Sequence, residues 1–111
     1  WNSTFNNNTK ALLLEKGIVI GGKIYNNTYG CIGYNASISG VLFHHNVNAL
    51  ILNYSNATVE KCSFWKNFYG IIANGNGNKI YHNNFVYNIK NAIDNSANIW
   101  NLSLIDNIRS A

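Results

Sequence analysis

The chain has no proline and no methionine, two cysteines, and only four Asp and Glu against eight Lys and Arg in 111 residues. No apolar run approaches the roughly 18 residues of a membrane-spanning helix, so no such span is expected, and no signal peptide is visible. Charged residues make up 11%, against roughly a quarter in an ordinary soluble domain. Their scarcity suits a surface of stacked strands, where like charges one above another at about 4.8 Å would repel. The net charge of +4 is spread along the chain. Without a basic run, a recognition helix or an RNA-binding signature it reads as a solubility term, and no nucleic-acid partner is expected.

What takes the place of charge is asparagine, and it recurs in a pattern. An apolar anchor followed three positions later by asparagine occurs at Phe5, Ile24, Phe43, Phe64, Phe85 and Leu104, with Asn8, Asn27, Asn46, Asn67, Asn88 and Asn107 behind them. The anchors are 19, 19, 21, 21 and 19 residues apart. Six after each anchor stands a small or polar residue: Ala11, Gly30, Ala49, Gly70, Asn91, Ser110. Five before come Val19, Ile38, Val59, Ile80 and Ile99, and eight after come Leu13, Ile32, Ile51, Ile72 and Ile93. A period of this length means stacked units that bury their apolar faces only against one another. The Leu spacing of a leucine-rich repeat is missing, and helical solenoids need longer units and better helix formers. Asn, Gly, Ile, Val and aromatic residues favour strands and turns.

The expected fold is therefore all-β, a parallel β-helix solenoid over residues 1–111, with about five to six coils of 19–21 residues. "ATVEKCSFWKN" and "NKIYHNNFVYN" read as strand, bend, strand, and "GIIANGNGN" as strand then loop, where the longer units hold their extra residues. The asparagine column is expected at a bend, in the left-handed conformation that asparagine tolerates. Stacked amides would there form a ladder that satisfies buried polar groups. Two readings compete for the strand around Ile71 and Ile72, since both columns are apolar. Both chain ends fall inside a repeat, so the chain is expected to be a piece of a longer solenoid with neighbouring coils as partners. Its open edges invite self-association.

The units "IYHNNFVYNIKNAI", "VEKCSFWKNFYGII" and "IYNNTYGCI" resemble the repeat of right-handed parallel β-helix proteins of the pectin-lyase-like superfamily. The segment "NAIDNSANIWN", residues 91–101, is similar to one in NosD-like and related archaeal and bacterial surface proteins. The resemblance implies a right-handed coil and a wide choice of roles: polysaccharide lyase or hydrolase, adhesin, spacer, or copper-site maturation.

Each role needs particular residues. Lyases and hydrolases of that superfamily cluster aspartates, and glycoside hydrolysis needs two carboxyls roughly 5 to 10 Å apart. The four acids here, Glu15, Glu60, Asp94 and Asp106, share no offset, read as solvated charge, and nominate no catalytic residue. Copper would have to use His44, His45, His82, Cys31 and Cys62. These stand at scattered offsets with no methionine to hold the soft metal, so neither metal nor cofactor is expected. Cys31 and Cys62 differ in coil and offset, which argues against a disulfide. Cys62 shares a column with Gly22, Val41 and Leu102 and reads as a buried free thiol.

The column one after the anchors, Asn6, Tyr25, His44, Trp65, Val86 and Ile105, offers an outward aromatic strip of Tyr25, His44 and Trp65. A second strip is Tyr81 with Trp100, each four before its anchor. Such strips stack on sugar rings of a polysaccharide or cell-wall glycan, or simply brace adjacent strands. The N-x-Ser/Thr acceptor occurs at Asn2, Asn7, Asn26, Asn35, Asn53, Asn56 and Asn101, which suggests an extracellular, cell-surface or periplasmic glycoprotein. The expectation is a non-catalytic structural or carbohydrate-binding module of a surface or secreted protein. Part of a carbohydrate-active enzyme, or a copper-maturation protein, is the alternative.

Overall fold

The computed structural model describes residues 3–54, 56–100 and the backbone of 108–110. Among them there are strands and no helix, wound as a parallel β-solenoid of about four turns. Each turn contributes one strand to each of three sheets. Sheet A stacks β1 (Thr4–Asn6), β4 (Lys23–Tyr25), β7 (Leu42–His44), β10 (Ser63–Trp65), β13 (Asn84–Val86) and β15 (Ile108–Ser110) in that order. Sheet B stacks β2 (Lys10–Glu15), β5 (Tyr29–Tyr34), β8 (Asn48–Leu52), β11 (Tyr69–Ala73) and β14 (Lys90–Asp94). Sheet C stacks β3 (Ile18–Ile20), β6 (Ser37–Ser39), β9 (Thr58–Glu60) and β12 (Lys79–Tyr81). The register is the sequence repeat itself: Phe5, Ile24, Phe43, Phe64 and Phe85 lie beside one another down sheet A. The two extra residues of the longer units sit in the loops after β8 and β11, as the loop sequences suggest.

Three corners join the strands of a coil, and each turns on one residue of positive φ, except the first return to sheet A, where Gly21 and Gly22 both have it. The corner after sheet A uses Asn7, Asn26, His45, Lys66 and Tyr87, with φ of 59°, 56°, 56°, 53° and 56°. The corner between sheets B and C uses Lys16, Asn35, Asn56 and Gly77, and the return to sheet A uses Gly21, Gly40, Lys61 and His82. This corrects the expected mechanism of the asparagine column. The left-handed residue is the one before each described ladder asparagine, and the ladder asparagine of an inner coil points inward. It is held there by its amide, not by its backbone preference.

The ladder is continuous from Asn8 to Asn88. Asn46 Oδ1 accepts from the main-chain N–H of Asn27 and from its Nδ2, both at 3.1 Å. Asn46 Nδ2 donates to the Ile24 carbonyl at 2.9 Å and to Asn67 Oδ1 at 3.0 Å. Asn67 repeats the arrangement with Phe43 and Asn88. Each amide thus closes a corner N–H and an anchor carbonyl that the strands leave over. Among the described residues no buried side-chain nitrogen or oxygen lacks a hydrogen bond.

Apolar side chains fill the interior in matching columns. Phe43, Phe64 and Phe85 are fully buried and stack with centroids 4.8 and 5.0 Å apart and planes within 8°. Burial of each stabilises by roughly 1.5 to 3 kcal/mol. Val19, Ile38, Val59 and Ile80 line sheet C. On sheet B the competition is decided by the corner. The small residue at Gly30, Ala49 and Gly70 faces inward, and a Cβ on Gly70 would run into the Asn91 carbonyl of the next coil. The residue after it, Cys31, Leu50 and Ile71, is also buried, so Leu13, Ile32, Ile51, Ile72 and Ile93 face outward. Both cysteines are free and buried. Burial pushes each thiol up to about 12, helped at Cys31 by its neighbour Cys62.

The last turn departs from the 19-residue rhythm. Beside Phe85 lies Arg109, not Leu104, and Lys79 bridges Ile99, so that Trp100 rather than Ile99 follows Ile80. About four regular turns are therefore wound, where five to six were expected. Leu104 and Asn107 lie outside the described residues.

Candidate functional site

The outer face of sheet A carries the expected aromatic strip. Asn6, Tyr25, His44, Trp65 and Val86 each end their strand, in register and on the face opposite the anchors. Alternation alone would turn the next residue inward. The positive-φ corner intervenes, so His45 and Lys66 are exposed beside the strip and widen it.

The rings pack on one another more than they face solvent. Tyr25 and His44 stack at 4.6 Å with planes 6° apart, and Asn6 Nδ2 donates to the Tyr25 hydroxyl at 3.2 Å. His44 lies 6.0 Å from Trp65 in a tilted arrangement, and His45 meets Trp65 edge-on at 5.3 Å. Lys66 Nζ stands 4.8 Å over the indole. Nδ1 of His44 and Nδ1 of His45 are 2.8 Å apart, a hydrogen bond that needs one of them neutral. Partial burial, then His45 and Lys23, lower the pKa of His44 below its usual 6.5. The result is a row of ring edges and polar atoms, with Trp65 at 37% exposure. It is flat, and no pocket opens among the described residues.

The second strip does not form. Tyr81 lies in register with Glu60, whose carboxylate accepts from its hydroxyl and pushes the phenol pKa up. Trp100 is half-buried against the core and belongs beside Ile80. Its indole N–H donates to Asp94 Oδ2 at 2.7 Å. Asp94 is accordingly not a free solvated charge: Oδ1 also accepts from Asn98 Nδ2 at 2.6 Å and from the Ser96 N–H at 3.2 Å. Partial burial works to raise its pKa, but these three hydrogen bonds outweigh it and hold the carboxyl below 3.8. Glu15 pairs in register with Tyr34. Asp106 lies outside the described residues.

For a metal, His44 and His45 meet, while His82 occupies a corner between sheets C and A and the cysteines are in the core. Among the described residues no three of His, Cys, Asp and Glu come together. The described glycosylation acceptors, Asn7, Asn26, Asn35, Asn53 and Asn56, are all exposed. Four of them are positive-φ corner residues, and Asn2 and Asn101 lie outside the described residues.

Asparagines outside the repeat column also bond from coil to coil. At the other two corners, Asn78 and Asn83 are buried and replace the apolar corner residues of earlier coils. Asn78 Oδ1 accepts from the Ala57 N–H, Asn83 Oδ1 from the Cys62 N–H, and Asn78 Nδ2 donates to Asn98 at 2.8 Å. An exposed ladder also links Asn53, Asn74 and Asn95. The signal was present: Asn83 stands two before its anchor, in the column of Gly22, Val41 and Cys62.

Compared with protein-family models, curated proteins and solved structures, the chain matches none.

Proposed function

We propose that the chain is a non-catalytic structural module, a stiff β-solenoid wall of a larger cell-surface or secreted protein. The observation that supports it is where the chemically capable side chains are spent. The amides bond from coil to coil, Asp94 is saturated by Asn98, Ser96 and Trp100, and the outer aromatics stack on their neighbours. The pectin-lyase-like and NosD-like resemblance supports a surface role. So does the exposure of all five described glycosylation acceptors, although corner geometry gives four of them a second reason to be asparagine. Assay of the whole chain on a panel of uronate and neutral polysaccharides tests the proposal: any turnover, lost on Asp94→Asn, would overturn it.

Carbohydrate binding is the second reading, favoured by the exposed edge of Trp65 beside His45 and Lys66. Trp65→Ala separates the two. A glycan-array signal that vanishes with the variant selects binding. A lowered unfolding midpoint with no glycan signal in either protein leaves the structural wall.

A further inference from the structure

The outer face of sheet B has an unusual character for a solvent-facing wall. Leu13, Ile32, Ile51, Ile72 and Ile93 lie side by side across all five strands, one per coil. They alternate with the buried columns, so they point away from the core: Leu13 is 65% exposed, and Ile32, Ile51, Ile72 and Ile93 are each half-buried. No charge interrupts this stripe. Charges on the face sit at its ends: Lys10 opens β2 and Glu15 closes it in the first coil, and Lys90 opens β14 in the last. Asp94 does not join them, because its carboxylate turns to Asn98 and Trp100.

We propose that this face docks a second copy of the chain, the two packing sheet to sheet about a two-fold axis parallel to the solenoid stack. Two arrangements would pair the stripes, and the charges choose between them. A two-fold along the strands lays coil one over coil five and sets Lys10 against Lys90, twice. A two-fold along the stack keeps each coil over its own equivalent and reverses the strands. Lys10 then faces Glu15 of the second copy, again twice, as an isologous contact requires. Five strands about 4.8 Å apart and about 17 Å long present roughly 400 Å² per copy, or about 800 Å² in all. That is below the 1,200 to 2,000 Å² of a standard stable interface, so the dimer is weak and reversible, to be sought from micromolar to millimolar concentration.

Sedimentation equilibrium of the whole chain across that range tests the proposal. The wild type is expected to dimerise, and Ile51→Lys to weaken the dimer at least about tenfold. Leu13→Lys, at the most exposed position of the stripe, serves as the second variant if Ile51→Lys does not keep its far-UV dichroism. Lys10→Glu and Glu15→Lys alone are each expected to weaken the dimer about two- to tenfold. The double exchange restores it, which only the stack-parallel two-fold predicts. A wild type that stays monomeric overturns the proposal, as do folded stripe variants that dimerise normally or a double exchange without recovery.

Discussion

A single asparagine does different work according to its depth in the ladder. Asn67 closes the Asn46 N–H and the Phe43 carbonyl inside the stack. Asn8 is exposed, and its Nδ2 donates to the Asn6 carbonyl two residues back. Asn67→Ala should therefore leave two buried groups unpaired and lower stability by about 2 to 4 kcal/mol, whereas Asn8→Ala should cost less than about 1. Urea denaturation of both variants measures the difference, and equal losses would refute the ladder account. His44 gives a pH signature. Its pKa is lower in the folded state than the 6.5 it has unfolded, so the unfolded chain takes up the proton first. Its contribution is complete above about pH 6.5, is lost as pH falls from there toward the folded value, and is level below. His44→Gln should flatten that part of the stability profile. An unchanged slope would show that another group carries it.

At the scale of strands and corners, one rule explains two patterns. Each corner needs a residue of positive φ, then an inward residue, then the approach to the next strand. Asparagine suits the first place and Ser or Thr the third, so Asn7, Asn26, Asn35 and Asn56 fall into N-x-Ser/Thr triplets through folding alone. The same rule exposes strain where the corner residue is bulky. Tyr87 holds φ at 56° with its side chain 60% exposed. Tyr87→Asn is expected to stabilise by up to about 1 kcal/mol and Tyr87→Val to destabilise by about 1 to 2. Paired thermal unfolding curves check the sign, and a Val variant as stable as Asn would dissociate the corner from left-handed strain. The strand, bend and loop assignments were legible because each strand is short and its apolar period is plain. The left-handed position was misplaced by one residue, since asparagine tolerates positive φ better than the His45, Lys66 or Tyr87 that precedes it.

For the whole molecule the consequence of stacking is unequal tolerance along the axis. Phe64 has Phe43 and Phe85 on its two faces and is fully buried, while Phe5, in register with Ile24, is only half-buried. Phe64→Ala should cost about 3 to 5 kcal/mol, and Phe5→Ala about 1 to 2. The first is a large part of the roughly 5 to 15 kcal/mol that holds a domain together. Guanidinium titrations give both numbers. Similar losses at the two positions would contradict a stack in which each coil depends on its neighbours. The solenoid and most of its core columns could be read in advance, because a repeat writes the same contact at every period. The site was less legible. Tyr25, His44 and Trp65 were brought together as expected, but Trp100 and Tyr81 were separated by a one-residue slip that no local pattern announces.

The sequence alone dictated the period, the strand-rich coil and the identity of the stacked columns, since these follow from spacing and from what asparagine, glycine and β-branched residues do locally. Only the three-dimensional winding decided which apolar column of sheet B points outward. The reason is geometric: an inward small residue at the corner lets two consecutive side chains enter the core, and every later side chain changes face with them.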